Sequence, residues 1–348
     1  MTQRIVPSLW FDHTALEGAR FHVEVFRAAL GGLAGGESST GVTQVSRYPR
    51  QGLADFQQEF AGDVLEVRYR LAGFELSAIN AGDEFAMDPS LSLAITLDPA
   101  LVEDAPTRLH ALHDGLLADG GRELMALQEY DFAPLYTWVQ DRYGMTWQLA
   151  VGSHEAQDGS AEACGAVRIV PSLLFDGEDS RAAEALRTWV EVLDRAFGAS
   201  RLGPMRFYQR QGRQHADSLL HGSAVLAGVP VSAMDNGGEQ DFGFSCALSL
   251  QVMCDTQEQV DTVWDGLSAV PEAEICGWLR DRFGLSWQVC PANVTELMTR
   301  PGAFEVMTTM ARPDLSRYEA LRDRTTGGPG NPVGDEGSEQ AEETTTLE

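Results

Sequence analysis

An internal repeat is the feature that most constrains the fold of this chain. Residues 4–12 read RIVPSLWFD and return at 168–176 as RIVPSLLFD, with eight of nine positions identical. Near the end of each copy, WVQDRYGMTWQL at 138–149 returns as WLRDRFGLSWQV at 278–289. Shorter matches lie between these anchors in the same order. The period is about 150 residues, which is the size of a whole domain, so the sequence predicts a tandem duplication.

The repeat sets the expected boundaries. Two similar domains are predicted at 1–151 and 167–312. The small and polar residues 152–166 between them are interpreted as a linker. We expect a short C-terminal extension at 313–324. The stretch 325–348, rich in Gly, Pro, Thr and Glu, is predicted to be a disordered acidic tail.

Charge and cysteine content narrow the class of protein. The 348 residues carry 52 acids against 25 bases, a net charge of -27, and every base is an arginine. This acidity argues against nucleic acid or an anionic membrane as a partner, and the absence of lysine removes Schiff-base chemistry. The five cysteines lack any CxxC spacing, and the N-terminus does not read as a signal peptide. We therefore expect a cytoplasmic protein with reduced thiols.

Each copy alternates strands and helices in the order strand, helix, three strands, used twice. In the strand predicted at 91–97, leucines and isoleucine alternate with Ser92, Ala94 and Thr96, which separates a helix-covered face from a cavity face. A second helix in each copy is expected to begin at Pro106 or Thr256. The DRYG string from Asp141 and the DRFG string from Asp281 are typical of hairpin turns, so both aspartates are given a structural role.

Three strings point to a known family: PSLWFD at 7–12, LAGFELSAINAG at 71–82 and GWLRDRFGLSWQV at 277–289. Together they resemble PhnB-like proteins of the glyoxalase, bleomycin-resistance and extradiol-dioxygenase superfamily, also called vicinal oxygen chelate. The resemblance implies an α+β fold with two glyoxalase-fold domains. Each domain would consist of paired βαβββ modules whose curved mixed sheets surround a cavity.

Enzymes of this superfamily typically hold a divalent metal through His or Glu on the first, fourth, fifth and eighth strands. In this sequence those positions fall on Pro7 and Pro171, near Ser77 and Ser232, on Ser92 and Ser249, and on Gln148 and Gln288. None of these side chains carries the charge or imidazole that such sites normally use, so we expect no metal and no other cofactor. His110 and His113 are three apart on a helix but lack a third ligand. No glycine-rich adenosylmethionine loop is visible either.

Strand alternation also predicts which side chains face the cavities. The five tryptophans of the repeated strings, Trp10, Trp138, Trp147, Trp278 and Trp287, are interpreted as core residues. The predicted lining is mostly neutral: Pro7, Leu9, Phe11, Asn80, Ser92, Thr146, Gln148, Pro171, Leu173, Phe175, Asp235, Ser249, Gln251, Ser286 and Gln288.

The leading hypothesis is metal-free binding of a small organic molecule. One alternative is a metal-dependent lyase or dioxygenase whose ligands lie elsewhere in the chain. Another is a structural role without ligand, in which duplication within one chain replaces a homodimer and the protein is monomeric. The residues leave open whether a reaction is catalysed, and whether modules pair within or between the two halves.

Overall fold

The computed structural model describes residues 3–33, 39–153, 165–176, 181–208, 217–237 and 240–326. The predicted order of strands and helices is confirmed in both repeats. The first repeat contains β1 (Ile5–Phe11), α1 (Ala15–Leu30), β2 (Gly41–Arg47), β3 (Val64–Leu71), β4 (Phe74–Asn80), β5 (Leu91–Leu97), α2 (Ala105–Leu117), β6 (Arg122–Tyr130), β7 (Ala133–Gln140) and β8 (Thr146–Val151).

The second repeat follows the same plan and adds a helical C-terminal segment. Its elements are β9 (Val167–Phe175), α3 (Ala182–Phe197), β10 (Arg201–Phe207), β11 (Leu219–Leu226), β12 (Val229–Asp235), β13 (Leu248–Cys254), α4 (Gln257–Leu267), β14 (Trp278–Arg280), β15 (Ser286–Pro291), α5 (Val294–Leu297), α6 (Ala303–Thr308) and α7 (Leu315–Thr326). Most of the predicted linker, 154–164, lies outside the described residues. The first two residues of the predicted tail end α7, and 327–348 lie outside the described residues.

The strands form two mixed sheets, and each sheet draws on both repeats. One has seven strands in the order β14-β15-β13-β1-β4-β3-β2, and the other has eight in the order β10-β11-β12-β9-β5-β8-β7-β6. The repeats meet where β1 pairs antiparallel with β13 and where β5 pairs antiparallel with β9. Modules therefore pair between the two halves of the chain, which settles the question that the sequence left open.

Helices join the two modules within each repeat. Helix α1 packs on β3 and β4 of the seven-stranded sheet and also against α2, which packs on β7 and β8 of the eight-stranded sheet. The approach is close, because a Cβ added to Gly115 of α2 would lie 2.8 Å from Val25 of α1. The second repeat has the same crossing at Gly266 and Val192, where a Cβ would lie 2.7 Å away. Strands therefore connect the repeats, and helices connect the modules of one repeat.

Helix α4 begins as the sequence predicts. The Thr256 side chain accepts a hydrogen bond from the backbone N–H of Gln259, and the Gln259 side chain accepts one from the backbone N–H of Asp255. This is close to the reciprocal pattern of a capping box, which satisfies backbone donors at a helix start. Within the described residues, no helix is both long enough and apolar enough to cross a bilayer.

Candidate functional site

A cavity of about 560 Å³ lies against one face of the seven-stranded sheet. Both repeats contribute to its lining, because the sheet itself contains strands from both. Trp10 comes from β1 and Gln251 from β13, which are neighbouring strands of different repeats. The cavity therefore depends on the pairing of modules between repeats. Its volume is in the range typical of small-molecule sites.

The floor of the cavity is a chain of amide and hydroxyl groups. Gln251 donates through Nε2 to Oε1 of Gln288 at 3.2 Å, and Gln288 donates through Nε2 to the Ser249 hydroxyl at 2.9 Å. The Gln251 oxygen accepts a hydrogen bond of 2.9 Å from the Arg68 guanidinium. Both amides are thus oriented by protein partners before any ligand arrives, and a rigid polar floor favours discrimination between ligands.

Arg68 is a buried cation beside this floor, and it also lines the cavity. Its guanidinium lies 3.2 Å from Glu66 and 3.0 Å from Glu75. Burial alone disfavours the charged form, but the neighbouring Glu66 and Glu75 carboxylates outweigh it, and the pKa of Arg68 is raised. This ion pair was not predicted from the sequence, because Glu66, Arg68 and Glu75 read as ordinary alternating polar residues of two neighbouring strands. Their link to the site is Gln251, which lies 183 residues from Arg68 along the chain.

Aromatic rings form the walls. Trp10 packs edge-on against Phe85 at 5.1 Å and against Trp278 at 6.1 Å between ring centroids, and its indole N–H donates to the Gly82 carbonyl at 2.8 Å. Trp10 and Trp278 both line the cavity, which was not predicted for either residue. Trp10 also packs against the hydrophobic core, as the sequence predicts.

The C-terminal segment closes another side of the cavity. Residues of α5 and α6 and the turn between them reach it, and Phe304 of α6 packs edge-on against Tyr48 at 5.9 Å. A small separate core, formed by Leu297, Ala303, Met310 and Tyr318, holds this segment together. No site residue was predicted here from the sequence, because this segment lies beyond the repeated strings.

Three thiols also line the cavity, those of Cys246, Cys276 and Cys290. Burial raises the pKa of Cys290 to about 12 and also raises the pKa of Cys276. Because the thiolate is the reactive form, Cys276 and Cys290 are poor nucleophiles at neutral pH.

Four of the predicted lining residues come together in this cavity: Asn80, Gln251, Ser286 and Gln288. Ser249 lies just beneath, bonded to Gln288. Asn80 has a structural task as well, since its side-chain oxygen accepts a hydrogen bond from the first N–H of α1, at Ala15. Asp235 is its counterpart in the second repeat and binds the backbone N–H groups of Ala182 and Leu219.

The predicted face of β1 is wrong. Pro7 and Leu9 pair with Leu250 and Leu248, and residues opposite each other in a ladder project to the same face, which is here the helix-covered one. Phe11 accordingly packs on Gly18 of α1 and on Tyr143.

The same correction applies to β9. Pro171 and Leu173 pair with Leu93 and Leu91 of β5, and Phe175 packs at 5.9 Å on Trp189 of α3. Large apolar residues lie on both faces of β1 and β9, although Ser8 and Ser172 mark the cavity side, so alternation of apolar residues alone did not tell the faces apart.

The remaining predicted residues lie on the eight-stranded sheet: Ser92, Thr146 and Gln148. They are on the face that corresponds to the cavity face of the seven-stranded sheet. Ser92 and Thr146 are hydrogen-bonded at 2.8 Å. The Gln148 oxygen accepts a hydrogen bond of 3.1 Å from the Tyr136 hydroxyl, and the amide nitrogen donates to Ser172 at 3.4 Å. This face therefore also has a hydroxyl and amide floor. Contact between these lining residues and a ligand stays a prediction.

Asp141 and Asp281 occupy turns, as predicted, and also anchor the core. One oxygen of Asp281 accepts from the backbone N–H groups of Phe283 and Leu285, and the other accepts from the indoles of Trp189 and Trp287 at 2.8 and 2.9 Å. Burial raises the pKa of Asp281.

In the first repeat His22 takes the place of Trp189. Asp141 lies 2.9 Å from His22 and accepts from Trp147 at 2.8 Å, and His22 also contacts the Tyr69 hydroxyl at 3.1 Å. These groups lie on the helix side, away from the cavity.

The donor set does not fit a divalent metal. With the face of β1 corrected, the first-strand position on the cavity side is Ser8, which pairs with Ser249 and Ser77. Hydroxyls and amides are weak ligands for zinc, iron or nickel, and the Gln251 oxygen already accepts a hydrogen bond from the Arg68 cation. Within the described ranges, no group of three His, Cys, Asp or Glu side chains is placed to hold a metal ion. The expected absence of metal stays a prediction.

Solved structures similar to this chain include a PhnB protein of Bacillus cereus described as a putative 3-demethylubiquinone-9 3-methyltransferase. It is 27% identical, with a TM-score of 0.33 over 43% of this chain and 100% of its own. A maize glyoxalase I mutant is 9% identical, with a TM-score of 0.43 over 84% and 96% of the two chains. A putative dioxygenase of Bacillus subtilis is 12% identical, with a TM-score of 0.41 over 92% and 93%. No curated protein sequence gave a significant match.

The decisive comparison is with a family profile. The profile described as 3-demethylubiquinone-9 3-methyltransferase matches residues 3–150 and again 167–290, which is most of the chain and coincides with the two repeats. The match covers the strands that build both sheets. The chain belongs to this family as a tandem duplication, which confirms the resemblance to PhnB-like proteins.

Proposed function

We propose that this protein binds a small organic molecule with an aromatic or otherwise flat apolar body in the cavity of the seven-stranded sheet, without a bound metal. The observation that carries the proposal is the combination of a 560 Å³ cavity with aromatic walls and a polar floor whose amides are already oriented. Apolar walls supply affinity, and a few fixed polar groups supply orientation.

Binding without chemical change is the form of function that the cavity supports best. One oxygen of Glu66, Oε1, lies 3.2 Å from the Arg68 guanidinium and accepts a hydrogen bond from the Ser77 hydroxyl at 2.7 Å, so this carboxylate is held in place by protein partners. The Cys276 and Cys290 thiols have raised pKa values. A nucleophilic or general-base thiol has to be present as the thiolate, and these two thiols are protonated at neutral pH.

A cavity-filling substitution tests this function. Ala273 lines the cavity, whereas Ala269, four residues earlier, is exposed and outside it. We expect 2-naphthamide and 2-naphthoate, two-ring probes, to raise the melting temperature of the wild-type protein, because a ligand of the native state at 100 times its Kd stabilises by about 2.7 kcal/mol. Ala273→Trp should abolish this shift and Ala269→Trp should preserve it.

Three results would contradict the proposed function. Equal shifts in both tryptophan variants would place the probes elsewhere on the protein. A wild-type protein that responds to neither probe at millimolar concentration would argue for the structural role without ligand. A stoichiometric metal retained through purification, and lost together with a catalytic activity, would instead favour the metal-dependent lyase or dioxygenase.

A further inference from the structure

Arg280 places a second cation at the wall of this cavity. It lies at the end of β14, the edge strand of the seven-stranded sheet, opposite Ser286 of β15. Its Nε atom is buried and has no hydrogen-bond partner. Among the residues that the structure describes, its guanidinium forms no ion pair. Burying part of a charged group without a partner is unfavourable, so a bound group of opposite charge would stabilise Arg280.

The neighbouring arginines differ from Arg280 in having ion pairs, although the Nε of Arg68 is also buried without a hydrogen-bond partner. Arg68, beside the floor, is held by Glu66 and Glu75. Arg282, two residues further along, points away from the cavity and pairs with Glu184 at 2.8 Å. Glu272 also lines the cavity, but it is exposed and forms no ion pair with Arg280 within the described part of the chain.

In the first repeat a neutral residue takes the equivalent position. The string that contains Arg280, WLRDRFG, aligns with WVQDRYG, so the counterpart of Arg280 is Gln140. Gln140 is engaged locally, accepting from Arg122 at 2.7 Å and donating to the Gly144 carbonyl at 2.9 Å. The cation is therefore specific to the second repeat and to the cavity that β14 borders.

We infer that the ligand of this cavity is an aromatic carboxylic acid, whose rings lie between the aromatic walls and whose carboxylate is bound by Arg280. This rests on the proposed function. A guanidinium presents paired N–H donors that match the two oxygens of a carboxylate, whereas an amide of the same shape offers one acceptor and no charge. Arg68 is the weaker candidate for binding the acid, because its charge is already paired with Glu66 and Glu75 and its guanidinium donates to Gln251.

Calorimetric titration with the matched probes 2-naphthoate and 2-naphthamide tests the inference. We expect wild-type protein to bind the acid at least about tenfold more tightly than the amide, as hydrogen bonds to charged groups predict. Arg280→Gln, which introduces the residue type of the first repeat, should remove this preference and leave the affinity for the amide within about twofold. Arg282→Gln, an equal loss of charge outside the cavity, should keep the preference.

Each contrary result has a distinct meaning. Equal affinities of the wild-type protein for acid and amide would overturn the carboxylate assignment and leave the proposed function intact. The carboxylate assignment would also be overturned if Arg280→Gln weakened the binding of the acid and of the amide by the same factor. Arg280 would then shape the cavity without recognising the charge of the ligand. Failure of both probes to bind wild-type protein would overturn the proposed function, and the inference with it.

Discussion

Asp281→Ala is expected to lower the free energy of unfolding by about 3 to 5 kcal/mol, because it leaves several buried donors without an acceptor, each worth about 1 to 3 kcal/mol. In the folded protein the Asp281 carboxylate accepts from two backbone N–H groups and from the indoles of Trp189 and Trp287. These bonds fix the turn before β15 and hold α3 on the sheet. The midpoint of urea unfolding, followed by circular dichroism, measures the loss.

Asp255→Ala is the matched control for this substitution. Asp255 is half-exposed and forms an ion pair with Arg4 on the surface, an interaction worth about 1 kcal/mol or less. A loss of similar size in the two variants would show that the Asp281 network contributes no more than a surface contact. It would also mean that these hydrogen bonds do not explain why both repeats carry an aspartate at this position, in DRYG and in DRFG.

Cys290 in the folded protein should react with iodoacetamide at least about tenfold more slowly at pH 8 than in urea-unfolded protein. Burial raises its pKa from 9.0 to about 12, and each unit lowers the thiolate fraction about tenfold. The residue borders the cavity and is only partly buried, so a small reagent can reach it. Peptide mass spectrometry of time-quenched samples gives the rate for this cysteine separately from the others.

The pH dependence of the alkylation rate tests whether the raised pKa of Cys290 is the cause of its slow reaction. Over pH 7 to 9 the rate at Cys290 should rise about tenfold per unit without levelling, because its pKa lies well above this range. In the unfolded chain the rate should begin to level near the ordinary thiol value. A folded-state rate within about tenfold of the unfolded rate would mean that Cys290 does not lie in a low-dielectric environment beside Arg68.

Much of the fold was predictable because local signals repeat. The βαβββ order, the alternating strand at Leu91–Leu97 and the capped start of α4 at Thr256 all depend on nearby residues, and the structure confirms them. The pairing of strands between repeats was not predictable. Because the two copies share the same strand sequences, β1 suits a partner in either copy, and only the three-dimensional path of the chain decides.

The site was harder to predict than the fold. Gln251, Ser286 and Gln288 were expected to face a cavity, and they do line one. The face of β1 was predicted wrongly because Val6 and Trp10 are as apolar as Leu9 and Phe11. The alternation therefore does not show which of the two faces is turned towards the helices. Arg280 was missed because an arginine on an edge strand usually points to solvent, and its isolation becomes visible only when the surrounding charges are placed in space.

The indole N–H signals of the tryptophans, observed by NMR during titration with 2-naphthoate, test the central claim most directly. There are seven tryptophans, so the spectrum is sparse, and Trp10→Phe and Trp278→Phe identify the two that line the cavity. Ligand binding between the aromatic walls predicts that these two signals shift together. Those of Trp147 and Trp287, held by Asp141 and Asp281 on the helix side, should not move. Shifts at Trp147 or Trp287 without any at Trp10 and Trp278 would contradict the assignment of this cavity as the binding site.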